Sequence, residues 1–407
     1  MIHFSPPRRV WHTERGVSAW PMRFSSRFEW DRPSNRLGRR LRELKAAGTP
    51  ILNLTESNPT VCHLDYEAGQ ILGPLAGPQS LRYFPDPAGL PVAREAVASL
   101  YARRGRQVHP DQIVLTSSTS EAYSYLFKLL ADPGDEVLAP RPSYPLFAAL
   151  ADLDGLVLRH YDLRYTEGWW LDFESLELAY TERSRALLVV DPNNPAGCYV
   201  KPHEWDRLYA FGRQRSLPLI VDEVFHDYAL LDDVKSDVIY DNHSVFFLNG
   251  LSKLAGLPQM KLAWIVINGP GQRIRDRLEL IADTYLSVST PAQLALHAWL
   301  ENSASFQARL IERLRRNRNH IDGAVAGTHC RVLVTEGGWS AVLRLPTIRT
   351  DEEWALLFLE RDHLLVQPGY FFDFDQEAFV VVSLLVEPPV FDEGVRRLVR
   401  RVGETET

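Results

Sequence analysis

The chain has 407 residues, of which 45% are hydrophobic and 24% charged, long and apolar enough to bury a large core in two domains. Its formal net charge of −7 gives no electrostatic basis for binding nucleic acid or an anionic membrane, and leaves small polar molecules as the expected partners. No apolar run reaches bilayer-crossing length, and Cys62, Cys198 and Cys330 match neither metal-knuckle nor disulfide spacing, so a cytoplasmic protein with incidental thiols is expected.

Residues 1–21 mix prolines, arginines and tryptophans without an apolar signal region and read as a loose arm. Residues 1–50 hold eleven Lys and Arg against four Asp and Glu, an excess that arginines on the solvated face of a helix at 34–47 explain. Further on, short apolar β-rich runs at 113–115, 136–139, 186–190, 217–221, 245–248 and 262–267 alternate with helix-period segments, among them 120–130, 203–215 and 271–285. This alternation predicts an α/β fold, a mostly parallel wound sheet flanked by helices. Beyond about residue 320, strands at 331–334, 340–345 and 379–386 and a charged helix at 351–361 predict a smaller α+β domain that also takes in the N-terminal segment. The expected division is 1–62 for the arm and part of the small domain, 63–319 for the large domain and 320–407 for the small one, with the helical span 292–326 as connector.

In open parallel sheets ligands bind outside the carboxyl ends of the strands, and the unusual polar residues of this chain stand there. After 113–115 come Thr116, Ser117, Ser118, Thr119 and Ser120, small hydroxyl residues opening a helix, where free N–H groups and the helix dipole make a phosphate cradle. The loop after 136–139 presents Tyr144 between prolines, a flat face able to stack on a planar ring. Asp191-Pro192-Asn193-Asn194-Pro195-Ala196-Gly197 follows 186–190 and leaves the Asn194 amide free to donate to a phenolic oxygen. Asp222 ends the run 217–221, and Lys253 closes Asn249-Gly250-Leu251-Ser252-Lys253 after 245–248. A lysine there can hold an aldehyde as a Schiff base, and a carboxylate at a neighbouring strand end can keep a pyridine nitrogen protonated. Singly, these residues are ordinary caps, turns and packed aromatics; in this chain order they point to pyridoxal phosphate.

This ordered set, across roughly residues 50–400, resembles the class I/II aminotransferases of the fold-type I pyridoxal phosphate superfamily. The resemblance implies that Lys253 is the imine-forming lysine and proton shuttle, that Asp222 partners the pyridine nitrogen, and that Asn194 donates to the ring oxygen. It implies a phosphate site of Ser118, Thr119, Ser120 and Ser252, joined by Lys261 where relatives carry arginine, and a stacking role for Tyr144. It further implies a homodimer with shared active sites, in which Tyr83 reaches the neighbouring subunit's phosphate. Two departures stand out: Phe225 occupies the place of a tyrosine that would bond the ring oxygen, and the stretch 379–384 lacks the arginine that clamps a substrate carboxylate. In the family the regions of Trp339, Tyr285 and the run Tyr370-Phe371-Phe372 approach the substrate, which would give the pocket an aromatic, uncharged character; packing of the small domain explains these residues equally well.

The expected activity is transfer of an amino group between an amino acid, apolar or aromatic, and a 2-oxo acid. A pyridoxal phosphate lyase eliminating across a carbon–sulfur bond is the alternative on the same fold, and a ligand-sensing regulatory protein a more distant one.

Overall fold

The computed structural model describes residues 24–28, 35–234, 243–269 and 272–405. The loose arm expected at 1–21 lies outside them, as does the first residue of the helix expected at 34–47, which runs over Arg36–Ala46. The strands in chain order are β1 (Leu52–Asn53), β2 (Ile113–Thr116), β3 (Glu136–Arg141), β4 (Val157–Tyr165), β5 (Trp169–Leu171), β6 (Ser184–Val190) and β7 (Leu219–Asp222). They continue as β8 (Val245–Gly250), β9 (Ala263–Asn268), β10 (Arg331–Val332), β11 (Ser340–Arg344), β12 (Leu364–Leu365), β13 (Gln367–Pro368) and β14 (Phe379–Ser383).

Eight strands form the central sheet in the order β2-β9-β8-β7-β6-β3-β4-β5. The pairs β3–β4, β3–β6, β6–β7 and β7–β8 are parallel; β2–β9, β8–β9 and β4–β5 are antiparallel. Strands covered by helices on both faces must be apolar throughout, and β2, β7 and β8 are buried at every position. Alternation divides them between two cores: Leu219, Val221, Val245 and Phe247 face one, Ile220, Phe246 and Leu248 the other. From the neighbours β3 and β6 the chain order runs outward to β5 on one side and to β9 on the other, where β2 closes the edge, so a crevice opens at their carboxyl ends, where such sheets bind ligands.

The mostly parallel sheet agrees with the sequence expectation, while the hairpin β4–β5 has no counterpart in it. Val157–Tyr165 mixes charged and apolar residues because only part of it is covered, which hides a strand from a search for apolar runs.

A second sheet, β10-β11-β14-β13, is antiparallel, and β1 pairs in parallel with β12. Leu37, Leu44, Leu54 and Cys62 from the N-terminal part share a core with Trp354, Phe358, Val380, Val382 and Phe391. One 36-residue helix, Thr290–Val325, spans both regions. Its residues Ala292–Leu300 pack in the large core and Phe306–Val325 in the small one, so the changeover falls between Leu300 and Phe306. The strand expected at 379–386 ends at Ser383, whose N–H donates to the Leu54 carbonyl, and the chain then turns. No helix among the described residues is long and apolar enough to cross a membrane.

Candidate active site

Asp222 ends β7 at the floor of the crevice and is 7% exposed. Its Oδ2 accepts from the Tyr123 hydroxyl at 2.7 Å and its Oδ1 from the Val224 N–H at 3.1 Å. Burial pushes its carboxyl up to about 6 from 3.8, the two donors working against that shift. Tyr123 lies in the helix Thr119–Leu130 and is fully buried. Its role is not legible in the sequence, where it reads as part of the apolar stripe facing the sheet; its one signal is that this stripe packs over the end of β7.

Lys253 follows β8 on a single helical turn, Leu251–Leu254. Gly250 permits the turn, because a Cβ there would meet the Ala263 Cβ at 2.7 Å across the β8–β9 ladder. The Tyr228 hydroxyl donates to the Lys253 carbonyl at 2.5 Å. The Lys253 Nζ stands 4.8 Å from the ring centre of Trp339 and 5.6 Å from that of Phe225. Aromatic faces favour an ammonium, yet burial wins and brings the amine down to about 8 from 10.5, while the Asp222 charge pulls the other way. About a tenth of this lysine is therefore the neutral nucleophile at pH 7, far more than at the ordinary lysine value.

Two asparagines follow β6, with different occupations. Asn193 is buried and structural, its Nδ2 donating to the Pro142 carbonyl at 3.2 Å and its Oδ1 accepting from the Ala196 N–H at 3.1 Å. Asn194 is half-buried, and its amide has no hydrogen-bond partner among the described residues. Gly197 closes the loop at φ +70°, where a Cβ would meet the Gly337 carbonyl at 2.6 Å. The Gly197 carbonyl accepts from the N–H groups of Glu336 and Gly337 at 3.0 and 2.8 Å, which docks the segment leading to Trp339 beside the crevice.

Tyr144 leaves β3 on a loop tied to the helical turn Gly369–Phe372 by the Ser143 N–H, which donates to the Phe372 carbonyl at 2.9 Å. Its half-buried ring packs edge-on against Phe147, and burial together with the Asp222 charge holds its phenol protonated.

Ser118 caps the helix Thr119–Leu130 by accepting from the Glu121 N–H at 3.2 Å, while Glu121 Oε2 accepts from the Ser117 N–H and the Ser287 hydroxyl, each at 2.6 Å. The hydroxyls of Thr119 and Ser120 have no partner among the described residues. Ser252 is half-buried beside Lys253, and Lys261, at φ +50° just before β9, extends an exposed side chain with no ion pair among the described residues.

Other expected residues are not gathered around Lys253. Tyr83 is 74% exposed and lines a separate groove with Tyr125 and Ser287. Tyr285 stacks on Tyr125 at 5.4 Å and is half exposed. The departure at 379–384 persists in three dimensions: β14 is apolar and buried, Val381 facing the large core and Val380 the small one, and the Arg344 of neighbouring β11 is exposed over Phe379.

The crevice thus offers a partly neutral amine, a buried carboxylate paired only with neutral donors, a free amide and a helix N-terminus bearing free hydroxyls. This donor and acceptor set fits a phosphorylated pyridine aldehyde: an imine-forming nitrogen, a partner for a ring N–H, a donor to a ring oxygen and a phosphate seat.

The family model described as aminotransferase class I and II matches residues 51–398. The glutamate-pyruvate aminotransferase AlaA of Escherichia coli is 27% identical over 365 residues, covering 84% of this chain and 88% of that protein. An alanine aminotransferase of Mycobacterium tuberculosis is 32% identical over 276 residues, 65% of this chain and 63% of that protein. Among solved structures, an aminotransferase from Escherichia coli superimposes with a TM-score of 0.84 at 25% identity, covering 94% of this chain and 98% of that one. These relatives are named as aminotransferases, which does not favour the lyase reading. The order of strand-end residues, the crevice they line and a family match across most of the sequence agree: the chain belongs to the class I and II aminotransferases.

Proposed function

We propose that this aminotransferase carries pyridoxal phosphate on Lys253 and transfers amino groups between an apolar or aromatic amino acid and a 2-oxo acid. The observation that supports this most is the pairing of a depressed amine, Lys253, with a buried carboxylate, Asp222, at the ends of adjacent parallel strands. When bound, the cofactor supplies an aldehyde for the amino group and a ring that withdraws electrons from the substrate α-carbon. Asp222 holds the proton on the ring nitrogen, Asn194 donates to the ring oxygen, and Tyr144 stacks on the ring. Ser118, Thr119, Ser120, Ser252 and Lys261 seat the phosphate. Lys253 Nζ would hold the cofactor aldehyde and, when free, would serve as the base that moves the proton at the substrate α-carbon.

Trp339 and Phe225 make the walls near Lys253 aromatic and uncharged, which favours an apolar side chain over a dicarboxylate. Purified enzyme presented with a panel of amino donors, and read by loss of the lysine-bound cofactor's absorbance, tests this choice. Faster conversion of aspartate than of alanine, leucine and phenylalanine refutes it.

Phe225 removes one donor to the ring oxygen, so the lysine-bound cofactor holds its proton to higher pH than in a variant that restores the hydroxyl. Phe225→Tyr is expected to lower the pKa of the bound cofactor's absorbance transition by about one unit. An absorbance titration in which wild type and variant coincide refutes that expectation.

The enzyme is further proposed to be a cytoplasmic homodimer. Leu81, Tyr83 and Phe84 form an exposed strip, Leu81 being 90% exposed, which supports a subunit interface there that brings Tyr83 to the partner's phosphate. The division into 1–62, 63–319 and 320–407 is further proposed; its last boundary lies inside the helix Thr290–Val325, along which the packing passes from one core to the other earlier, between Leu300 and Phe306.

A further inference from the structure

Asp222 is the acceptor of the ring proton under the function proposed above, and its own surroundings decide how well it can serve. Each of its oxygens already takes one hydrogen bond, from the Tyr123 hydroxyl at 2.7 Å and from the Val224 N–H at 3.1 Å, and each retains lone-pair capacity for one more donor. The Val224 bond comes from the chain two residues on and holds Asp222 as the strand ends. The Tyr123 bond is different in kind: it reaches from the helix Thr119–Leu130, the same helix whose first turn carries Thr119 and Ser120.

The other ionisable groups facing Asp222 are Lys253, Tyr144 and Glu223. Lys253 is partly neutral and changes its bonding during turnover. Tyr144 packs its ring edge-on against Phe147 and makes no hydrogen bond to Asp222 among the described residues. Glu223 is the next residue on the chain, with its carboxylate held by Tyr101 and Arg106. Tyr123 is thus the side-chain hydroxyl that donates directly to the Asp222 carboxylate, and burial beside that anion keeps the Tyr123 phenol protonated and able to donate.

We propose that Tyr123 is a positioning residue for the ring nitrogen: its hydroxyl fixes one Asp222 oxygen and, by stabilising the carboxylate, keeps the shared proton on the cofactor. The proposal rests on the reading of Asp222 as the ring-nitrogen partner. Because one rigid helix carries both Tyr123 and the phosphate-facing hydroxyls, it sets the two ends of the cofactor in one register.

The test uses holoenzyme loaded with cofactor labelled with nitrogen-15 in the ring, whose NMR shift reports protonation at that atom. Tyr123→Phe keeps the ring that packs against Phe147 and Phe127 and removes only the hydroxyl. The expected result is a ring-nitrogen shift towards the neutral value, cofactor dissociation faster by about tenfold, and kcat reduced by about tenfold with KM changed less than about twofold. Replacing Tyr123 with 3-fluorotyrosine, a more acidic donor of nearly the same size, is expected to move the shift the opposite way, and decides the matter should the phenylalanine variant fail to load. Asp222→Asn separates the two claims. If Asp222→Asn moves the resonance and neither Tyr123 variant does, the inference is overturned and the cofactor seat stands. If Asp222→Asn leaves the resonance in place, the seat itself is wrong and the inference falls with it.

Discussion

Lys253→Ala is expected to lower transamination by at least about a thousandfold, since it removes both the covalent tether and the base that moves the α-proton, and positioned proton transfer alone contributes about 10²–10⁴. The fold should survive, because the Lys253 ammonium makes no ion pair among the described residues and its removal leaves no buried charge without its partner. Borohydride reduction and peptide mapping should find a pyridoxyl adduct at Lys253 in the wild type and none in the variant. Retained turnover within tenfold of wild type, in a variant free of copurified wild-type enzyme, would falsify the assignment. The pH profile offers a second check: the amine lies near 8, so loading of the aldehyde onto apoenzyme should accelerate as pH rises through that value and then level off.

Asp222→Asn carries the second large effect, with opposite signs for activity and stability. An amide cannot hold the ring nitrogen's proton as a carboxylate does, and loss of such preorganised electrostatic stabilisation lowers kcat by about 10²–10³. In the apoprotein the same carboxylate is a burden. Its folded pKa of about 6 lies above the unfolded 3.8, so the folded state prefers the proton. The penalty is absent below about pH 4, grows between the two values and is complete above about 6. The variant apoprotein should therefore be more stable than wild type at neutral pH by on the order of 3 kcal/mol, an advantage that vanishes on acidification. Chemical denaturation of both apoproteins at neutral and acid pH measures this, and a wild type that is the more stable at neutral pH contradicts the burial argument. The site holds a destabilising charge in readiness for its ligand, a stability cost associated with function.

Much of this site was legible from the chain because its parts are local. Asp222 and Lys253 each stand at the end of an apolar run, Thr119 and Ser120 open a helix after another, and the Asn193-Asn194 loop follows a third; strand periodicity and turn chemistry suffice to locate them. A wound sheet then brings strand ends together regardless of the residues between, which is why chain order predicted spatial convergence. Trp339 stands 4.8 Å from the Lys253 Nζ, on a segment held by the backbone bonds of Glu336 and Gly337 to Gly197.

By itself, then, the sequence determined the class of architecture, the family and the residues at the strand ends, because each depends on hydrophobic period and on short-range backbone chemistry. The tertiary structure alone decided which asparagine is free, that Tyr123 serves Asp222, that Tyr83 and Tyr285 lie away from Lys253 within one chain, and that β4 and β5 extend the sheet. Those outcomes depend on contacts between residues far apart in the chain, such as Tyr123 and Asp222, and on which face of an element meets a neighbour. Neither is encoded in local spacing; both follow from how helices and strands pack once they have formed.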